Sequence, residues 1–156
     1  LNYYAQAPDY SKNPSGLCDM AVEYIRDKKP VLAGIIFDNP DHVGHVDGHD
    51  TPAYYENLKE LDGYIGRIIA AMKEAGIYEN SIIIITSDHG GVGKGHGGKT
   101  MLEMETPFII SGKNIKKGGQ FDDSMMQFDC ASTIACIFNL EQPQVWIGRP
   151  MLQVFK

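Results

Sequence analysis

The chain is poor in the features that mark several common classes of protein. Its three cysteines form no CxxC pair, which argues against a disulfide framework and against a cysteine-rich zinc site. Lys and Arg number 14 against 20 Asp and Glu, with no basic stripe, so we expect no nucleic-acid polymer as a partner. No apolar run reaches the roughly 20 residues of a membrane-spanning helix. The acidic balance that remains suits a globular chain that binds cations.

Continuous apolar runs predict buried strands. Residues 31–37 and 82–86 form two such runs, which are typical of strands buried on both faces of a parallel sheet. A third, short strand is predicted at 107–110. Helical patterns lie between these strands, and this alternation predicts an α/β fold with a mostly parallel sheet flanked by helices.

Apolar residues three and four apart predict helices at 19–28, 52–75 and 127–138. The stretch before the first helix is polar and rich in turn formers. We therefore expect residues 1–17 to be an irregular N-terminal segment and residues 18–156 to form one structured part.

All five histidines fall between residues 42 and 96, in glycine-rich segments that we expect to be loops. Asp41 and His45 follow the first predicted strand, and Asp88 and His89 follow the second. Ligands of open α/β sheets bind outside the carboxyl ends of strands, so we expect these two pairs to meet at one edge. Carboxylates and imidazoles without cysteine suit zinc, and also manganese or iron. Magnesium or calcium would favour more oxygen ligands.

Each of these residues also fits a structural role when taken singly. Asp88 can cap the turn that follows it, and His96 can be a solvated residue of a flexible glycine loop. We expect His42 and His49 to be exposed loop residues. The conjunction of three histidine-bearing glycine segments, two of them at strand ends, favours a metal site.

Four segments resemble the alkaline phosphatase superfamily. Residues 41–45 resemble its Asp-x-x-Gly-His motif, and residues 86–90 resemble its Ser/Thr-Asp-His-Gly motif. Residues 95–98 are similar to its histidine loop, and residues 146–150 resemble sulfatase-like and nucleotide-pyrophosphatase-like members. The likeness runs from about Lys29 to the end of the chain, so it implies the C-terminal part of an alkaline-phosphatase-like sandwich.

The resemblance implies a site for two divalent metal ions, zinc first, with manganese, iron, magnesium or calcium as alternatives. Asp41, His45 and His96 would hold one ion. Asp88 and His89 would hold the other, together with an upstream aspartate and a nucleophile that we do not find in this chain. We therefore assign no catalytic nucleophile here.

Candidate substrate contacts are Lys94, Lys99 and His49. The lysines flank His96, where a cation can contact a phosphate or sulfate oxygen. His49 lies at the rim of the same motif.

The resemblance thus implies the C-terminal part of a metal-dependent hydrolase of phosphate mono- or diesters or of sulfate esters, whose substrate is a small molecule. We expect the full-length enzyme to be extracytoplasmic and this chain alone to be inactive. Two alternatives stay open. One is a metal-dependent mutase of the phosphopentomutase or phosphoglycerate mutase type, and the other is a non-catalytic domain that binds a metal or an anion.

Overall fold

The computed structural model describes residues 12–122 and 124–156. In chain order these contain α1 (Pro14–Lys28), α2 (Asp41–Asp47), α3 (Pro52–Glu74), β1 (Ile82–Thr86), α4 (Met101–Met104), β2 (Phe108–Gly112) and α5 (Asp129–Ile137). They divide into two compact units. One holds the described residues up to Ser81 together with His89–Glu105, and the other holds Ile82–Asp88 and the described part of Thr106–Lys156. None of the helices described here has the length and apolarity needed to cross a bilayer.

The first unit is built on α1 and α3. Asn13 caps α1 by accepting a hydrogen bond from the Gly16 N–H, and Pro14 occupies the first helical turn. The helix therefore begins inside the segment that was predicted to be irregular. Asn, Pro and Gly also mark turns, which is why the pattern favoured a loop there. Residues 1–11 of that predicted segment lie outside the described residues.

The core of this unit lies between α1 and α3. Cys18, Val22 and Ile25 of α1 are buried with Ala71 of α3. The predicted helix at 52–75 is confirmed, and its N-cap Thr51 accepts a hydrogen bond from the Tyr54 N–H at 3.3 Å. This packing joins α1 to the C-terminal half of α3.

Residues 31–37 were predicted to be a buried strand, and that prediction is wrong for the described structure. Ile35 and Phe37 pack against the core, whereas Val31 and Ile36 are 86% and 81% exposed. An apolar run becomes a strand buried on both faces only where neighbouring strands satisfy its N–H and C=O groups. Neither of the described strands pairs with this segment, so it stays an extended connection.

The second unit contains the sheet. β1 and β2 are antiparallel, in a register that runs from Ile82 opposite Gly112 to Thr86 opposite Phe108. Both strands were predicted close to their observed positions, but the parallel neighbour expected for β1 is absent from the described ladder. An apolar run predicts that a strand exists and is buried; it does not fix the direction of the strand that pairs with it. The predicted helix at 127–138 is confirmed as α5.

A buried carboxylate fixes the chain after α5. Asp129 is 2% exposed, and its two oxygens accept hydrogen bonds from the Met126 and Arg149 N–H groups, each at 2.8 Å. The Thr133 hydroxyl donates to the Asp129 carbonyl and accepts from the Met151 N–H. The C-terminal segment of the second unit is therefore tied to α5 through polar groups that have no access to water.

Candidate metal centre

The first motif is a helix, although its composition predicted a loop. Asp41 is the first residue of α2 and His45 lies one turn later, so both side chains lie on the same face. The Gly44 N–H donates to the Pro40 carbonyl at 2.9 Å, which confirms the helical turn. A carboxylate at a helix N-terminus is favourable, and this offsets the weak helix propensities of glycine and histidine. Asp41 Oδ2 lies 3.3 Å from His45 Nε2.

The glycine-rich loop after His89 brings His96 to this helix face. Val92 and Gly95 form an isolated antiparallel bridge that tightens the loop. The Lys94 carbonyl lies 3.0 Å from His45 Nδ1. Because a carbonyl only accepts hydrogen bonds, Nδ1 must carry the proton, and the neutral ring then presents a lone pair on Nε2. That lone pair faces His96 Nε2 at 3.1 Å.

The side chains of three residues, Asp41, His45 and His96, therefore form a small ligand triangle. Asp41 Oδ2 lies 3.3 Å from His45 Nε2, His45 Nε2 lies 3.1 Å from His96 Nε2, and His96 Nε2 lies 3.6 Å from the other Asp41 oxygen, Oδ1. Ligands about 2.0–2.1 Å from a tetrahedral zinc ion would be about 3.3–3.4 Å from each other. Asp41 Oδ1 is also buried and has no hydrogen-bond partner among the described residues. These residues fit a divalent metal ion, which would satisfy that oxygen.

His89 lies beside the same triangle. Its Nε2 is 4.0 Å from Asp41 Oδ1, and its ring stacks on His96 with centroids 3.7 Å apart and planes 18° apart. Its Nδ1 lies 2.8 Å from the Gly90 carbonyl and so carries the proton in the neutral ring. Asp88 belongs to the second unit. The assignment of Asp88 and His89 to a second ion stays a prediction.

The two remaining histidines differ in exposure. His42 is exposed, as predicted, but it lies in α2 and not in a loop. For His49 that prediction is wrong, because its side chain is only 6% exposed. Its Nδ1 lies 3.1 Å from the Gly93 carbonyl, and its Nε2 lies 4.0 Å from Asp41 Oδ1. The contact with Gly93 spans 44 residues of sequence, so no local pattern indicated it.

The two candidate lysines also differ. Lys94 Nζ donates to the Val46 carbonyl at 2.7 Å, which satisfies an otherwise unpaired carbonyl in the last turn of α2. Lys99 is exposed. The substrate contacts assigned to both residues stay predictions, and Lys94 has a structural partner in addition.

Glu103 of α4 closes the histidine loop. Its carboxylate accepts hydrogen bonds from the Gly98 N–H at 2.8 Å and from the Thr100 hydroxyl at 2.6 Å. These bonds, that of the Thr100 hydroxyl foremost, lower the pKa of Glu103. A Cβ on Gly98 would lie 2.3 Å from the carboxylate in its present position, so a larger residue there would displace the Glu103 side chain. Sequence reasoning missed Glu103, although Thr-x-x-Glu is a recognisable capping box.

Comparison with protein families gives one match over most of the chain. The model of the type I phosphodiesterase / nucleotide pyrophosphatase family matches residues 7–134. Human ectonucleotide pyrophosphatase/phosphodiesterase family member 5 is 33% identical over 70 residues, which are 44% of this chain and 15% of that protein. A 2,3-bisphosphoglycerate-independent phosphoglycerate mutase from Synechococcus sp. is 29% identical over 96% of this chain and 29% of its own length.

Comparison with solved structures supports the α/β fold. A 2-O GAG sulfatase superposes on 97% of this chain and on 48% of its own, with a TM-score of 0.77 at 16% identity. The α/β class predicted from the sequence is thereby confirmed. The chain spans less than half the length of each of these three proteins.

Proposed function

We propose that this chain, which belongs to the type I phosphodiesterase / nucleotide pyrophosphatase family, is the metal-binding part of a hydrolase that cleaves phosphate or sulfate esters. The family match, together with the sulfatase-like fold, confirms the predicted membership of the alkaline phosphatase superfamily. The activity of the whole protein is our inference from the candidate metal centre.

One observation carries the proposal. Asp41, His45 and His96 can each offer one ligand atom within 4.8 Å of the other two, and one of the Asp41 oxygens, Oδ1, is buried without a hydrogen-bond partner among the described residues. A purely structural polar cluster would satisfy that oxygen. A ligand set of one carboxylate and two imidazoles, open on one side, is typical of catalytic zinc sites.

The residues of this site would have different roles in metal binding. Asp41 would supply negative charge, and His45 and His96 would supply neutral lone pairs. The Lys94 carbonyl orients the His45 ring through Nδ1. When bound, a divalent ion would polarise the ester and lower the pKa of a coordinated hydroxyl. Zinc fits this ligand set best, with manganese and iron as alternatives.

The second ion is a further part of the proposal. The superfamily resemblance assigns it to Asp88 and His89, together with a further aspartate and a nucleophile. His89 Nε2 lies 4.0 Å from Asp41, which supports a position close to the first ion. Lys94, Lys99 and the rim of the loop would then contact the anionic group of a small-molecule ester.

Of the two ester classes, we propose a phosphate ester as the substrate, because the matched family is named for phosphodiesterase and pyrophosphatase activity. A phosphomutase is the second candidate. The similarity to the phosphoglycerate mutase covers 96% of this chain. The similarity to the human pyrophosphatase/phosphodiesterase family member covers 44% of it. An extracytoplasmic location stays a prediction in either case.

Assays of the full-length protein with p-nitrophenyl phosphate, bis(p-nitrophenyl) phosphate and p-nitrophenyl sulfate, with added Zn²⁺ or Mn²⁺, test the reaction class. His96→Ala should lower hydrolysis by at least about 100-fold, since removing a ligand should cost more than removing its supporting partner. His42→Ala is the matched control, because His42 is exposed on the same helix as Asp41. Equal activity in the two variants would contradict the proposal. Interconversion of 2- and 3-phosphoglycerate without ester hydrolysis would favour the mutase.

A further inference from the structure

The side chain of His49 is held inside the candidate metal centre by contacts that neither the ligand triangle nor the substrate assignment explains. Its backbone N–H donates to the Gly93 carbonyl at 2.7 Å, and its Nδ1 lies 3.1 Å from the same oxygen. Both groups must be donors, because the carbonyl can only accept. His49 therefore makes two hydrogen bonds to the Gly93 carbonyl, one from its backbone and one from its ring.

The opposite edge of the ring fits against two glycines. A Cβ on Gly44 would lie 2.4 Å from His49 Nε2, and a Cβ on Gly91 would lie 2.2 Å from it. Gly44 belongs to α2, between Asp41 and His45, whereas Gly91 belongs to the loop that carries His89 and His96. The ring thus occupies a slot that exists only because both positions lack a side chain.

Tyr54, in the first turns of α3, supports the ring from a third element. The two ring centroids are 5.4 Å apart, at an interplanar angle of 48°. His49 is therefore in contact with α2, with α3 and with the loop, while its Nε2 stays 4.0 Å from Asp41 Oδ1. That distance is too long for a hydrogen bond, so its contribution to Asp41 is positional.

We propose that His49 is a positioning residue that locks the loop carrying His89 and His96 onto the helix carrying Asp41 and His45. This inference rests on the proposed function, because the geometry it maintains is that of the metal ligands. His49 acts through Nδ1 and through the shape of its ring.

The choice of substitution separates this role from the alternatives. The amide nitrogen of asparagine can take the place of Nδ1, whereas that of glutamine can take the place of Nε2. His49→Asn should therefore keep the bond to Gly93, and His49→Gln should lose it. A residue that ligated a metal or touched substrate through Nε2 would show the opposite order.

The first experiment measures Zn²⁺ binding to the whole chain by competition with a chromogenic chelator, with circular dichroism to show that each variant is folded. We expect His49→Ala and His49→Gln to weaken Zn²⁺ binding by about 10–100-fold, and His49→Asn to recover most of the loss. Wild-type affinity in His49→Ala, or rescue by Gln and not by Asn, would overturn the proposal. Failure of the wild-type chain to bind Zn²⁺ or Mn²⁺ would instead count against the proposed function.

A double-mutant cycle in urea unfolding tests, without a metal, whether the His49 ring packs against Gly91 and Gly44. Gly91→Ala should destabilise the wild-type chain, because its Cβ meets the His49 ring, and it should have a much smaller effect beside His49→Ala. Gly44→Ala should also destabilise the wild-type chain, whose His49 ring its Cβ would meet, but it should stabilise the His49→Ala chain, since alanine favours a helix once the ring is gone. Additive effects in both cycles would overturn the proposal.

Discussion

Binding of Zn²⁺ should stabilise this chain by an amount that depends on Asp41. The carboxylate contributes the only formal negative charge to a triangle whose other two members are imidazoles. At a free Zn²⁺ concentration about 100 times its Kd, a ligand that binds only the folded state stabilises it by about 2.7 kcal/mol. For a chain of 156 residues that corresponds to a rise in Tm of about 5–10 °C.

Asp41→Asn is the informative perturbation, because it keeps the shape of the side chain and removes the charge. Losing a ligand should weaken binding by more than about 100-fold, so the same Zn²⁺ concentration would stabilise the variant by less than about 0.5 kcal/mol. Thermal unfolding followed by circular dichroism, with and without Zn²⁺, measures both shifts. His42→Asn is the control and should show the full wild-type rise. An equal rise in Asp41→Asn would refute the assignment of Asp41 as a ligand.

Three further outcomes are expected. Asp129→Asn should lower the free energy of unfolding by about 2–4 kcal/mol in urea titrations, because one of two buried charge-assisted bonds becomes a clash between two donors; a value near zero would contradict this. The pKa of Glu103 is lowered on folding, so its stabilising bonds to Gly98 and Thr100 are fully present above its unfolded pKa and are lost as pH falls through the folded pKa. The amide shift of Gly98 in NMR should follow this titration, and Glu103→Gln should abolish it. The 156-residue chain alone should hydrolyse bis(p-nitrophenyl) phosphate only at background rate with Zn²⁺ present, and robust turnover would show that it carries its own nucleophile.

Local patterns predicted the elements well and their assembly poorly. β1, α3 and α5 were found from runs and periodicities that lie within each element. The segment 31–37 has an equally strong apolar pattern, yet it forms no ladder, because a strand also needs a partner and a partner is not a local property. The direction of pairing in the sheet was missed for the same reason.

In the candidate site, too, local patterns predicted the residues but not the contacts between distant parts of the chain. Asp41, His45 and His96 were chosen by residue type and motif, and the structure brings their ligand atoms together. His49 was misjudged because its burial depends on Gly93, a contact across 44 residues of sequence. Glycine within a motif predicts a flexible loop when the sequence is considered alone. In this structure the glycines at positions 44 and 91 instead make room for one imidazole ring.

The spacing of the first motif carried more structural information than its composition. Aspartate and histidine four positions apart face the same way only if the chain is helical, where the repeat is 3.6 residues. In an extended loop the same two side chains would be about 13 Å apart along the chain and could share an ion only if the loop folded back. A motif that needs both ligands on one ion therefore favours a helical turn, despite the glycine and histidine within it. The helix also turns Gly44 toward His49, so the requirement for glycine and the burial of that histidine arise from one local conformation.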